Sequence, residues 1–331
     1  MKKKYDVYGI GNALVDLEFK VDQQFLYDHK VSKGVMTLVD EPTQFRLINA
    51  INQDKINRKS GGSAANSIIA VSQFGGKSFY SCKVANDEYG DFYLKDMNDA
   101  GVDTNLDGKA REEGVTGKCL VMITSDADRT MNTFLGITTG LSVNEIDEHA
   151  IKESEYVYLE GYPVTTTNGV EALKYGKKIA EDNGVKTALT LSDPSIVQAF
   201  KSQFEDVVGA SVDLLFCNED EAMAFTGTHD LEEARQALKK EARRFVITLG
   251  KNGAMIYDGD TFIDIEPYKV KAIDTNGAGD MYAGAFLYGI TNGMTYAGAG
   301  KLASLAGSKV VSQYGPRLKW HEVQDILKSL K

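Results

Sequence analysis

From residue 143 onward the chain repeats one local pattern, and this pattern limits the fold more than any other feature. Short apolar runs at 156–159, 188–191, 214–217 and 245–249 alternate with helical-period stretches near 167–182, 219–226 and 231–242. Strands that are apolar on both faces must be covered on both faces. Strand–helix alternation therefore predicts an α/β fold: a central, mostly parallel sheet with helices on both sides. An apolar strand at 5–10 and another at 79–84 join this sheet, and short strands at 254–257 and 261–265 follow the turn Gly250-Lys251-Asn252-Gly253. Helices are expected at 91–100, stopped near Gly101, then at 279–290, at 296–312 and in an amphipathic tail from Trp320. No linker, repeat or low-complexity segment interrupts residues 1–331, so a single domain is expected.

Four segments do not fit a parallel core. Residues 17–21, 35–39, 115–124 and 129–134 alternate polar and apolar, as half-exposed strands do. The last two form a predicted β-hairpin around 125–128. Together they predict a separate small β-sheet, acting as a lid. Between them, 22–30 and 42–52 carry helical signals, the second with Phe45, Leu47, Ile48 and Ile51 on its apolar side.

Composition excludes several classes. The chain has 331 residues, 43% hydrophobic and 25% charged, with a formal net charge of −10. That is an ordinary globular composition, and its negative charge argues against a nucleic-acid groove or a membrane-binding face. No apolar run approaches a membrane span, and the N-terminal MKKKYDVYGIGN has no apolar core of a signal peptide. Cys82, Cys119 and Cys217 are far apart and show neither metal spacing nor a disulfide framework, so a cytoplasmic location is expected. The four histidines are equally scattered, which argues against a His-based metal site or triad.

The stretch DTNGAGD at 274–280 joins a strand end to a long apolar helix. Glycines flanking Ala278 keep the turn free of bulk, and the backbone N–H groups of Gly277, Ala278 and Gly279 are unpaired at the helix start, a preformed anion site. Asp280 falls in the first turn, where the positive helix end is expected to hold it ionised. An anion site beside a carboxylate suits phosphoryl transfer: the amides hold the moving group and the carboxylate takes the proton of the attacking hydroxyl. The plainer alternative is a glycine-rich helix start whose Asp only caps. Two other glycine patterns fail. Gly9-Ile10-Gly11 lacks the third glycine of a dinucleotide fingerprint at Leu14, and Gly76-Lys77-Ser78 lacks the leading P-loop glycine at Val71.

GNALVD at 11–16, GGSAANS at 61–67, NEDE at 218–221, TLGKNG at 248–253 and DTNGAGD at 274–280 occur in one order. In this order they resemble the ribokinase-like (pfkB-type) sugar and nucleoside kinases over nearly the whole chain, with the wording of the adenosine kinase branch. Asn276 in the last motif, Thr116-Gly117-Lys118-Cys119, and Arg129 ten residues after Cys119 carry that second likeness.

The resemblance implies an ATP-dependent kinase that phosphorylates a primary hydroxyl of a ribosyl compound, adenosine first. Asp280 would be the base, with Gly277, Ala278 and Gly279 on the transferring phosphoryl. Asp16, at a strand end after the turn, would hold the sugar hydroxyls, with a turn cap as the alternative. Gly61 and Gly62 would approach the sugar closely and hinge the lid. Asn66 would offer donor and acceptor to a hydroxyl pair, or merely cap its helix. Asn218 and Glu221 would organise Mg2+ and the phosphates, the Glu through water, or form an ordinary acidic helix start. Thr248, Gly250 and Gly253 would bed the nucleotide, or make a plain hairpin turn. Arg129 would clamp phosphate from the lid, or lie on its surface.

For the base, Leu38 would be an apolar contact and Tyr162 a stacking platform. Met36 stands where animal adenosine kinases carry Gln. A monovalent cation, K+, is allowed near Asp274. The partner is a small nucleoside or sugar, and the chain a monomer or a homodimer paired through the lid. Alternatives are a ribose, fructose, inosine or guanosine kinase of the same fold, a nucleotide-binding oxidoreductase, and a non-catalytic nucleoside or sugar sensor.

Overall fold

The computed structural model describes residues 3–51, 56–126 and 129–330. Its strands in chain order are β1 (Tyr5–Ile10), β2 (Leu14–Lys20), β3 (Met36–Leu38), β4 (Asn57–Gly61), β5 (Ser78–Ser81), β6 (Val102–Thr104), β7 (Thr116–Ile123), β8 (Arg129–Gly136), β9 (Ser154–Leu159), β10 (Lys186–Thr190), β11 (Leu214–Asn218), β12 (Phe245–Thr248), β13 (Ala254–Tyr257) and β14 (Phe262–Ile265).

Among the described residues the larger sheet has nine strands in the order β14-β13-β12-β11-β10-β9-β1-β5-β6. All neighbours from β12 to β6 pair in parallel; β13 and β14 close one edge antiparallel. The predicted α/β class is therefore the observed one. The period of two along each strand divides its side chains between two cores. Val7, Tyr156, Tyr158 and Val246 face one side, where they meet helices Ser63–Gln73, Ala278–Thr291 and Tyr296–Val310. Tyr8, Val157, Leu159, Phe245 and Ile247 face the other, against helices Thr167–Asp182, Lys201–Val208 and Glu219–Thr226.

Helices Ser63–Gln73 and Ala278–Thr291 are rich in small residues because they lie almost in backbone contact. A Cβ at Gly284 would sit 2.4 Å from the Ser67 carbonyl oxygen. This close crossing brings their N-terminal turns together.

The smaller sheet has the order β3-β8-β7-β2-β4. The four alternating segments fall on β2, β3, β7 and β8, with the 125–128 turn lying partly outside the described residues. β4 is not expected from the sequence, because Asn57-Arg58-Lys59-Ser60-Gly61 has no apolar alternation. It is an edge strand, where charged side chains guard against further pairing. β6 has three residues and leaves no readable period. Helices Pro194–Ala199 and Lys201–Val208 are also additions to the expected set; Asp193 caps the first through the N–H groups of Ser195 and Ile196. A further correction concerns Asp16. β2 begins at Leu14, so Asp16 is paired within the strand rather than placed at its end.

Candidate active site

A cleft of about 530 Å3 lies between the small sheet and the C-terminal ends of the parallel strands. Asn12, Glu160 and Asn218 come to it from those strands and the turns after them, and Asp16 from β2 of the small sheet. This is the end of a parallel sheet where ligands bind.

The floor is the 274–280 turn. Gly277 caps helix Ala278–Thr291 with φ 73°, a left-handed conformation that suits glycine, and a Cβ there would sit 2.4 Å from Pro316 Cβ. Asp280 lies in the first helical turn, as expected. Its Oδ1 accepts a hydrogen bond from Ser63 Oγ at 2.7 Å and its Oδ2 one from Asn66 Nδ2 at 3.1 Å. The expected effect of the helix end is outweighed. Burial pushes the Asp280 pKa up to about 6, with the Ser63 and Asn66 bonds and the charge of Arg317 opposing it. A carboxylate of that pKa is mostly ionised at neutral pH and poised to take a proton.

Asp16 faces the same cleft from β2. Burial raises its pKa to about 7, with Arg317 the largest opposing charge. Gly61 is what gives it room: a Cβ at Gly61 would sit 2.5 Å from Asp16 Oδ1. Gly62 lines the cleft with φ 109°. Asn66 also lines it, but both ends of its amide are engaged. Nδ2 donates to Asp280, and Oδ1 accepts from Arg317 Nε at 3.0 Å.

Asn218 and Glu221 form a reciprocal cap at the start of helix Glu219–Thr226. The Asn218 side chain accepts from Glu221 N at 2.8 Å, and Glu221 accepts from Asn218 N at 3.0 Å and from Asn218 Nδ2 at 2.8 Å. Burial raises the Glu221 pKa to about 7. One cleft-facing carboxylate is a donor set that Mg2+ accepts, since this ion keeps several waters and shares its coordination with phosphates. Asp274, the residue near which a monovalent cation is expected, does not suit one through its side chain. Its carboxylate contacts the Arg129 guanidinium at 2.8 Å and accepts from Gly315 N at 2.7 Å and Asn276 N at 3.1 Å.

On the small-sheet side, Met36 and Leu38 stand exposed on β3 and line the cleft with Leu14, Val121, Met131 and Leu135. Tyr162 lines it from the turn after β9, near Ile196 and Phe200. Thr248, Gly250 and Gly253 lie outside the lining, on and after β12, the strand beside Asn218. Arg129 is also outside the lining: it is buried between Asp274 and Glu18, the latter 3.6 Å away.

Several site residues leave little signal in the sequence. Glu160 is nearly fully buried at the end of β9 and accepts from Ala64 N at 2.9 Å and Asn12 N at 3.4 Å, and burial raises its pKa to about 8. It caps helix Ser63–Gln73 from outside, where Gly62 has no side chain to do so. Ser63 and Arg317 complete the surroundings of Asp280. The Gly-Pro-Arg triplet at 315–317 is the signal available for Arg317.

Comparison with known proteins agrees with this architecture. The family model described as pfkB family carbohydrate kinase matches residues 30–322. Among solved structures, a probable sugar kinase from Rhizobium etli CFN 42 is 31% identical with a TM-score of 0.89, covering 99% of this chain and 100% of that one. Adenosine kinase from Sinorhizobium meliloti is 31% identical with a TM-score of 0.88, covering 98% of this chain and 99% of that one. Adenosine kinase 1 of Arabidopsis thaliana is 26% identical over 333 residues, 93% of this chain and 94% of that protein. The chain belongs to the pfkB family of carbohydrate kinases and is a phosphotransferase acting on a hydroxyl group.

Proposed function

We propose that this kinase transfers the terminal phosphoryl group of ATP to the 5′-hydroxyl of adenosine. The observation that carries the nucleoside reading is the apolar lid-side wall of Leu14, Met36, Leu38, Val121, Met131 and Leu135, which lines the same cleft as Asp16, Glu160, Glu221 and Asp280. A free sugar needs hydroxyl-binding groups but no flat apolar slot. A purine needs both, and Tyr162 offers it an aromatic face. The likeness to adenosine kinases supports the same reading.

In this reading Asp16 accepts hydrogen bonds from the ribose hydroxyls. Asp280 takes the 5′-hydroxyl proton as the oxygen attacks phosphorus. The N–H groups of Gly277, Ala278 and Gly279 stabilise the charge on the transferring group. Glu221 and Asn218 would hold Mg2+, which when bound neutralises the phosphates. The lid sheet closes over the cleft and excludes water as a competing acceptor. The protein works as a monomer, or as a homodimer paired through the lid.

The test is adenosine-dependent consumption of ATP by purified protein. The expected result is saturable turnover yielding AMP, lost in Asp280→Asn. Turnover on ribose or fructose with none on any nucleoside would leave only the family-level activity.

A further inference from the structure

The motif that the proposed mechanism leaves unused is Gly315-Pro316-Arg317, which packs against and braces the catalytic turn. Gly315 N donates to Asp274 Oδ2 at 2.7 Å, at the entry to the turn. Pro316 packs against Gly277. Arg317 spreads its guanidinium over three elements. Nη1 contacts Asp96 Oδ2 at 3.0 Å, on helix Glu88–Asp99; Nη2 donates to Ser60 Oγ at 3.0 Å, on β4; Nε donates to Asn66 Oδ1 at 3.0 Å. Asp96 is fixed in turn by Ser60 N at 2.9 Å.

An amide bound by a guanidinium has no freedom in its orientation. Arg317 has donors only, so the Asn66 oxygen must face it and the Asn66 NH2 must face Asp280. We propose that Arg317 is a positioning residue for the base: it fixes the Asn66 amide, through it the Asp280 carboxylate, and ties both to the end of β4 beside Gly61 and Gly62.

The inference rests on the reading of Asp280 as the base. It adds an electrostatic role, because the acids and phenols acting with Asp280 are Asp16, Glu160, Glu221, Tyr158 and Tyr162, and Arg317 is the cation acting on it. Ser63 and Asn66 are its neutral partners.

The experiment compares the pH dependence of kcat/KM for wild type, Arg317→Met and Arg317→Lys, with ATP, Mg2+ and adenosine. Arg317→Met is expected to lower kcat about 10–100-fold, to leave the KM for ATP within about twofold, and to move the acid limb to higher pH. Arg317→Lys keeps the charge without the fork. It is expected to hold the acid limb near wild type while still losing part of kcat. A purely structural role would lower the melting temperature and leave the acid limb of both variants in place, which would overturn the proposal. If Arg317→Met does not fold, Arg317→Gln takes its place, since it also removes the charge: an acid limb moved to higher pH supports the proposal and an unmoved one overturns it. Asp280→Asn is run beside them. Retained turnover there removes the base reading itself, an outcome distinct from an Arg317 variant with an unmoved profile.

Discussion

Arg129 and Asp274 join the small sheet to the 274–280 turn, with the guanidinium Nη2 2.8 Å from the carboxylate Oδ2 and both side chains buried. The pair links a residue at the start of β8 to the loop that leads into helix Ala278–Thr291. Leaving one charge of a buried pair alone is costly, about 3–5 kcal/mol. Arg129→Met should therefore lower unfolding stability by roughly that amount in urea. The double variant Arg129→Met/Asp274→Asn should recover part of the loss. A large fall in turnover at unchanged stability would instead return Arg129 to the role of a phosphate clamp.

Asp280→Asn keeps the size and the capping position but cannot accept the proton. Turnover should fall by about two to four orders of magnitude, with ATP affinity little changed. In the wild type kcat/KM should rise with pH between about 6 and 7, the range in which Asp280, Asp16 and Glu221 deprotonate. Near-normal turnover of the variant would take Asp280 out of the base role.

Asp16→Ala should weaken acceptor binding by roughly 2–4 kcal/mol, the loss of charge-assisted hydrogen bonds in a closed site. Gly61→Ala should act in the same direction, because its methyl would meet Asp16 at 2.5 Å. Binding titrations with adenosine and with an ATP analogue separate the two sites. Equal weakening of both ligands would contradict the assignment.

Glu160 contributes to the pH dependence of stability, in the same direction as Asp16, Glu221 and Asp280. Its folded pKa, about 8, lies above the ordinary carboxyl value, so the native state holds a proton that the unfolded chain has released. This contribution is full below about pH 4 and is lost as pH rises through 8. Glu160→Gln should flatten the fall in melting temperature between pH 5 and 8. An unchanged slope would mean that Glu160 does not carry it.

The parallel core is legible in the sequence because its strands are apolar on both faces, as in Val157-Tyr158-Leu159, and helices of clear period separate them. The floor of the site is legible because its left-handed turn demands glycine, as at Gly277. The support of that floor is not. Arg317 and Asn66 are 251 residues apart, Ser63 and Asp280 217, and Glu160 and Ala64 96. Nothing local marks a side chain whose partner is supplied by another element. The helix-end argument for Asp280 misses burial, a property of the assembled cleft. β4 escapes because an edge strand has no need of apolar alternation.

In the proposed nucleoside site Tyr162, which lines the cleft, would stack on the base. Stacking on an aromatic ring contributes about 1 kcal/mol beyond area burial. Tyr162→Ala should raise the KM for adenosine far more than that for ribose. Met36 cannot offer the amide pair a Gln would, so inosine and guanosine should be accepted after adenosine.

The most direct test of the nucleoside assignment is competition for limiting ATP. Adenosine, ribose and fructose are supplied at equal concentration with Mg2+, and the phosphorylated products are resolved by mass. AMP should dominate, with its phosphate on the 5′-oxygen by phosphorus NMR. A mixture dominated by ribose phosphate or fructose phosphate would contradict the nucleoside assignment.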